Sequence, residues 1–586
     1  MPAYQIQRVE PQEERFIARP SKVMEELAAC EDIRGVEKNK LQSFLMEMGI
    51  QSIAEMDYPL RRRYQEYLTL SQGIQKSDRY IRAYDRVKQY SIREQMQTLA
   101  GRQQCEWRLR DEILFIPYHS NQDLAMEFDT VRNQSNMVWD FTRSCPQSLK
   151  EQIFATLNAI IDTFREKHGR EHRLTGLQFL YSFCIEQQIA DINTMELWQE
   201  NAFEAYLEER TNSKTRKKQL LPTLNFSRQT VFSQSEEIRW DANIWYLDRL
   251  KLPKHRINPS ASFSSVSFIE ITDAENRRYA KEFLKYQIGI TGQSVSTILI
   301  RFGGIRNFFM WLSDAGQNVC QSTTEQIDCY IRTLRDRNIK PKTFNEYLTG
   351  LHQLFQFLVV RGYMVKIPFQ IEYYQKKITP IHHDRSVSPE ICGEILPRLH
   401  LLPEHLRCMY IHLWCLGLRI SEVCTLRGNA YYWQGEDAWI QVYQIKMKNY
   451  KRIPISEGLY KIMQVYIRRY NICPDDYLFT NQKGGPYSSA TFQKQMKKFC
   501  EEHGIDGGDY LFKSHDYRHT VATLFYDNGV SLQSVRDYLG HKHEEMTQQY
   551  VDYVPMKIAK ENEEFFKNQG DSGLAASLRK GGKHGR

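Results

Sequence analysis

One pattern occurs three times in the first two-thirds of this chain and narrows what it can fold into. KLQSFLMEMGIQSIAEM runs on to YQEYL at Tyr67-Leu68, LQFLYSFCIEQQIADIN to FEAYL at Tyr206-Leu207, and IRNFFMWLSDAGQNVCQ to IDCYI at Tyr330-Ile331. In each copy an aromatic residue (Phe44, Phe183, Trp311) stands five positions before a residue that closes a helix (Gly49, Gln188, Gly316), and an apolar-periodic helix follows. The pattern predicts a series of related helical modules. A chain of 586 residues is too long for one core, and at ~150 residues per domain it is read as multi-domain.

The module boundaries are set by breaks in periodicity. Two helical modules are expected over 1–110 and 111–250, a third over 272–373, a further domain over 385–560 and a basic tail over 561–586. Ser148 and Glu151 read as a capping box opening a helix that Gly169 ends. From Asn212 to about Ile271, Pro, Ser and charge replace periodicity, so this stretch is expected to be connecting structure. KKITPIHHDRSV is a second linker, ending at a sharp helix start at Ser388-Pro389. Beyond it, AWIQVYQIKMKNYKRIPIS alternates like two strands with a polar turn near Lys448-Asn449-Tyr450. The expected fold class is mainly α, with helical N-terminal modules and a small antiparallel β-sheet in the C-terminal domain.

Composition leaves few broad classes open. Hydrophobic content of 41% and charged content of 26% fit a soluble globular protein, and no run approaches the ~18 apolar residues of a membrane span. Twelve cysteines stand singly, which suits reduced thiols, and the first residues hold no signal-like apolar segment. A cytoplasmic protein without membrane partners is expected. The net charge of +8 permits nucleic-acid binding but is thin over this length.

The last third holds a set of side chains suited to phosphodiester chemistry. Arg419 lies in LGLRISEV, His515 and Arg518 in SHDYRHT, His541 in YLGHKH and Tyr550 in TQQYVDY. With Ser514 as N-cap and Gly529 just past the C-cap, Tyr517, Val521, Leu524 and Phe525 form an apolar stripe, and His515, Arg518 and Ala522 face away from it. A second helix from the Ser531 cap to Leu539 ends at Gly540, which turns the chain to present His541. Arginine stays charged and donates to two phosphate oxygens at once, so Arg419 and Arg518 read as a clamp. A phenol with a pKa of ~10 needs an acceptor and a cationic surround to attack, which assigns His515 as acceptor, His541 as donor to the phosphate and Tyr550 as nucleophile.

These motifs, LGLRISE, H-x-x-R-H, LGH and Q-x-Y in this order, resemble the tyrosine recombinase (phage integrase) family. Tyr517 departs from the aliphatic residue usual there. The resemblance is strong from about Ser388 to Tyr553 and implies a catalytic domain over 385–560, preceded by a helical, SAM-like core-binding domain over 272–373. It implies a catalytic lysine on the hairpin, with Lys446 favoured by its distance to Pro454 and Lys448 as the alternative, and Glu422 in a supporting role. It further implies a 3′-phosphotyrosine, four protomers acting on two DNA duplexes, accessory excision or DNA-bending proteins, and no cofactor or metal. The long N-terminal part looks similar to the large recombinases of some transposons. Lys214, Arg216, Lys217, Lys218 and Lys448 are the expected DNA contacts.

Four rival readings stand beside this one. A metal hydrolase using His515 and His519 lacks the Glu after its first histidine and a third ligand. An ATP-driven enzyme lacks the G-x-x-x-x-G-K-[ST] loop. A type IB topoisomerase shares the chemistry, and a silent DNA-binding accessory would keep the fold without it.

Overall fold

The computed structural model of the protein describes residues 22–540 except 111, 129–133, 212, 262–263 and 379–384. It divides into two compact units, Met1–Arg249 and Leu250–Arg586. The described residues are mainly helical, with small antiparallel sheets. Among them, no helix is long and apolar enough to cross a membrane.

The three sequence recurrences share one backbone geometry. Gly49, Gln188 and Gly316 all take the left-handed conformation, with φ of 68°, 53° and 63°. The next amide in each reaches back to the helix, Ile50 to the Leu45 carbonyl at 3.0 Å, Ile189 to Cys184 at 2.8 Å and Gln317 to Leu312 at 2.9 Å, which is the Schellman closure. A polar side chain then caps a single turn: Ser52, Asp191 and Asn318 accept from the amides of Ala54, Asn193 and Cys320. The aromatic pairs repeat as well. Phe44–Tyr67 and Phe183–Tyr206 ring centroids are both 5.3 Å apart, and Trp311–Tyr330 are 5.6 Å apart.

The first unit departs from the sequence reading in three places. The segment read as a connection after Asn212 contains the helices Lys214–Leu220 and Pro222–Gln234. The second is a core element, because Gly176 lies so close to Thr223 and Leu220 that a Cβ would overlap them, and buried Arg228 donates to the Ile192 carbonyl at 3.0 Å and to Glu200. Its charge-rich approach and Pro222, at a first helical position, masked that role. Ser148 donates to the Ala190 carbonyl instead of capping, since the helix Gln147–Thr163 already starts before it. Gly169 does not end that helix but sits in the first turn of the next, Lys167–Glu186.

In the second unit, helices Ala274–Gly289, Val295–Asp314, Thr324–Asp336 and Pro341–Val360 precede the segment that carries the candidate site. Ser388 caps Pro389–Arg398 through the Ile391 amide. Helices Glu404–Leu416 and Ile420–Cys424 follow, then a three-stranded antiparallel sheet of β1 (Tyr431–Gln434), β2 (Asp437–Gln444) and β3 (Asn449–Ile455), with β2 central. The sequence reading found β2 and β3 and missed β1, whose four residues are too few to show alternation. Pairing resumes at Gln444–Asn449, so the turn is Ile445–Lys448, and Asn449 and Tyr450 belong to the strand.

Two glycines bring the last helices onto this framework. Gly417, with φ of 57°, closes Glu404–Leu416, and a Cβ there would stand 3.0 Å from Val521 Cβ on the helix Ser514–Asp527. Gly540, with φ of 68°, closes Leu532–Leu539 directly against the Gln444 carboxamide, where a Cβ would overlap it. Glycine is required at both positions because the left-handed backbone and the close approach coincide.

Candidate active site

Arg419 is the N-cap of the short helix Ile420–Cys424, and Glu422 folds back on it. The Arg419 amide donates to Glu422 Oε2 at 3.1 Å and its Nη1 to Oε1 at 2.8 Å. Glu422 is fully buried. Burial alone would raise its pKa, yet the fields of Lys451, Arg419 and Arg518 outweigh that and hold the carboxyl below the usual carboxylate range.

Arg518 is fully buried on the helix Ser514–Asp527. Its Nη1 donates to the Gly417 carbonyl at 3.0 Å and its Nη2 to the Leu539 carbonyl, so one guanidinium joins the two glycine-closed helix ends. The polar face expected for this residue is therefore an interior site, and the helix is buried on more than its apolar stripe. Tyr517 and Val521 lie in the core as expected, whereas Leu524 is 56% exposed. Lys513 takes the N-cap place read for Ser514, which is the first helical residue. Gly529 follows the C-cap Asn528 in the left-handed conformation, and Ser531 caps the next helix through the Ser534 amide at 3.1 Å.

His515 opens the Ser514–Asp527 helix. Although its side chain is exposed, desolvation by the surrounding protein, then the charges of Arg518, Arg419, Lys446 and Arg385, push its pKa down to about 4, so the ring is neutral at pH 7. Its ring meets that of His519 edge to face at 4.9 Å. No group of metal-ligating residues occurs among the described residues.

Lys446 sits in the Ile445–Lys448 loop. Its side chain is exposed, and desolvation by neighbouring groups, then Arg419, Lys342 and Arg518, lower its pKa, with Glu422 opposing them. A lysine with a lowered pKa delivers its proton more readily near neutrality. Lys448, in the same loop, is exposed with φ of 58°, and its amide donates to the Gln444 carbonyl at 2.8 Å. His541 and Tyr550 lie outside the described residues.

Three cations of this cluster were not among the sequence-derived site residues: Lys451, Lys342 and Arg385. Lys451 carried a signal that was there to be used. On β3 the side chains alternate in burial and Lys451 shares the inward face with Ile453. Lys342 and Arg385 are distant in sequence and gave no comparable sign. Of the expected DNA contacts in the first unit, Lys214, Arg216, Lys217 and Lys218 occupy the helix Lys214–Leu220, and Lys217 is bound to Glu204 and Glu208.

Two arginines, a histidine of lowered pKa and a loop lysine thus lie around one buried carboxylate. The phage integrase family model matches residues 393–555, so this segment is similar to the catalytic domains of that family. It is 28% identical over 345 residues to transposase B from transposon Tn554 of Staphylococcus aureus (strain Mu50), covering 57% of this chain and 55% of the relative. To the tyrosine recombinase XerC of Bacillus subtilis (strain 168) it is 22% identical over 297 residues, covering 47% of this chain and 91% of the relative. The chain thus spans about half the length of the transposases it matches. Among solved structures, XerH site-specific recombinase bound to palindromic difH substrate is 15% identical, with a TM-score of 0.38, covering 51% of this chain and 90% of the other.

Proposed function

We propose that the protein is a site-specific DNA recombinase that cleaves and rejoins strands through a 3′-phosphotyrosine on Tyr550, integrating and excising a mobile element. The observation that carries this reading is the charge of the site. Arg419, Lys446, Lys451 and Arg518 act on a single carboxylate, Glu422. An excess of partly desolvated cations is costly unless an anion completes it. A phosphodiester fits, with Arg419 and Arg518 neutralising its nonbridging oxygens, His541 donating to it and neutral His515 taking the phenol proton. Lys446 protonates the 5′ oxygen as it leaves.

The matches to proteins named as a transposon transposase and a tyrosine recombinase support the reaction class. Double-stranded DNA is the substrate, and four protomers act on two sites, with accessory excision or bending proteins. The work takes place in the cytoplasm. Lys342, acting on Lys446 from the first turn of Pro341–Val360, supports a helical core-binding domain over 272–373 bordering the scissile phosphate. The modules over 1–110 and 111–250 are additional DNA-binding modules, and 561–586 is a basic tail.

The test is a trap. The full chain, incubated in EDTA and without ATP with a nicked duplex carrying the sequences that flank its gene, should give a covalent protein–DNA adduct on a denaturing gel. Tight binding of these duplexes with no adduct would overturn the reading and leave a silent accessory protein.

A further inference from the structure

Lys451 is a buried lysine that no step of the proposed reaction uses. Its ammonium donates to the Tyr538 carbonyl at 3.4 Å and lies 5.7 Å from the Tyr538 ring centroid. Of the cations that act on Glu422, Lys451 has the largest coulombic effect. The helix end it touches is held by other groups as well. The Leu539 carbonyl accepts from Arg518 and from Gln444 Nε2, the latter at 3.3 Å, and the Tyr538 hydroxyl donates to the Leu416 carbonyl at 3.3 Å. Gln444 ends β2 and Lys451 is the third residue of β3, so both legs of the loop that carries Lys446 are fastened to the last turn of Leu532–Leu539.

We propose that Lys451 is a positioning residue that couples the Lys446 loop to the arginine clamp, fixing β3 on the end of the Leu532–Leu539 helix and completing the charge balance of Glu422. The proposal rests on the recombinase reading. An apolar side chain of similar size would fill the space at less cost than a buried ammonium, so packing alone does not explain a lysine here. Arg518 and Glu422 face it across the cluster, Arg419 beside Glu422, and the carbonyl and neutral phenol of Tyr538 from the last helix. Burial holds its pKa down to about 8, with Glu422 opposing and Arg518 and Arg419 adding to the drop. The charged form, and with it the coupling, is therefore lost as pH rises through about 8.

The experiment compares the full chain with Lys451→Met and Lys451→Arg on nicked duplexes carrying the flanking sequences, one with the ordinary 5′ oxygen at the scissile bond and one with a 5′-phosphorothiolate. Lys451→Met should bind duplex as the native chain does, keep its urea midpoint, and cleave both substrates more slowly by the same factor, about a hundredfold. Lys451→Arg should recover most of that rate, and the decline that the native chain shows above pH 8 should move to higher pH. Cleavage by Lys451→Met at the native rate would overturn the proposal. So would a defect that vanishes on the phosphorothiolate, since Lys451 would then be a proton donor, or an alkaline decline unchanged in Lys451→Arg. If the native chain itself forms no adduct, the recombinase reading fails first and this proposal falls with it.

Discussion

His515 shows at the scale of one residue how the site acts on its members. An ordinary histidine titrates at ~6.5, whereas desolvation by its neighbours and then their positive charges bring this one to about 4. A depressed folded pKa means that the stability contribution is complete above ~6.5 and is lost as pH falls through about 4, because the unfolded chain takes up the proton first. Histidine NMR should therefore show the His515 ring titrating near 4, and His515→Gln should flatten the loss of urea stability between neutral pH and pH 5. A ring that titrates at 6.5 would remove the neutral acceptor. Lys446 is tested by its leaving group. Lys446→Ala should cleave poorly at an ordinary scissile bond and recover on a 5′-phosphorothiolate, since a thiolate leaves without a proton. Recovery of Lys448→Ala in its place would move the proton donor two residues along the loop.

Among the elements, the repeated helix closure gives a stability prediction. Gln188 holds the left-handed conformation that glycine takes at Gly49 and Gly316, and a non-glycine residue there costs about 1–2 kcal/mol, part of which glycine returns in chain entropy. Gln188→Gly should stabilise the first unit by about 0.5–1 kcal/mol, read as a higher urea midpoint. The aromatic and closing residues of this element were legible in the sequence because local backbone geometry sets them. The same holds for the caps at Ser388 and Ser531 and for Gly540. What was not legible depends on contacts between distant segments. Arg518 is buried because Gly417 and Leu539 bring their carbonyls to it from 101 and 21 residues away. Pro222–Gln234 reads as a linker until Gly176 makes room for it. A short edge strand such as β1 and a lone inward lysine such as Lys451 also have no local signature beyond strand parity.

At the scale of the whole molecule, the proposed function has the long N-terminal part bind DNA and the C-terminal domain carry the chemistry. Replacing Lys214, Arg216 and Lys218 together by glutamine should weaken binding to long target duplexes and lower the salt slope by about 0.9 per lost phosphate contact. Lys217→Gln alone should change binding little, because Glu204 and Glu208 already hold that ammonium. An unchanged salt slope in the triple variant would take this helix out of the DNA interface. The central claim concerns Tyr550, and one substitution tests it most directly. Tyr550→Phe removes one hydroxyl and little else, so it should bind the nicked duplex like the native chain and form no covalent adduct, while the native adduct maps to the peptide containing Tyr550. An adduct that persists in Tyr550→Phe would contradict the account and place the nucleophile on another residue.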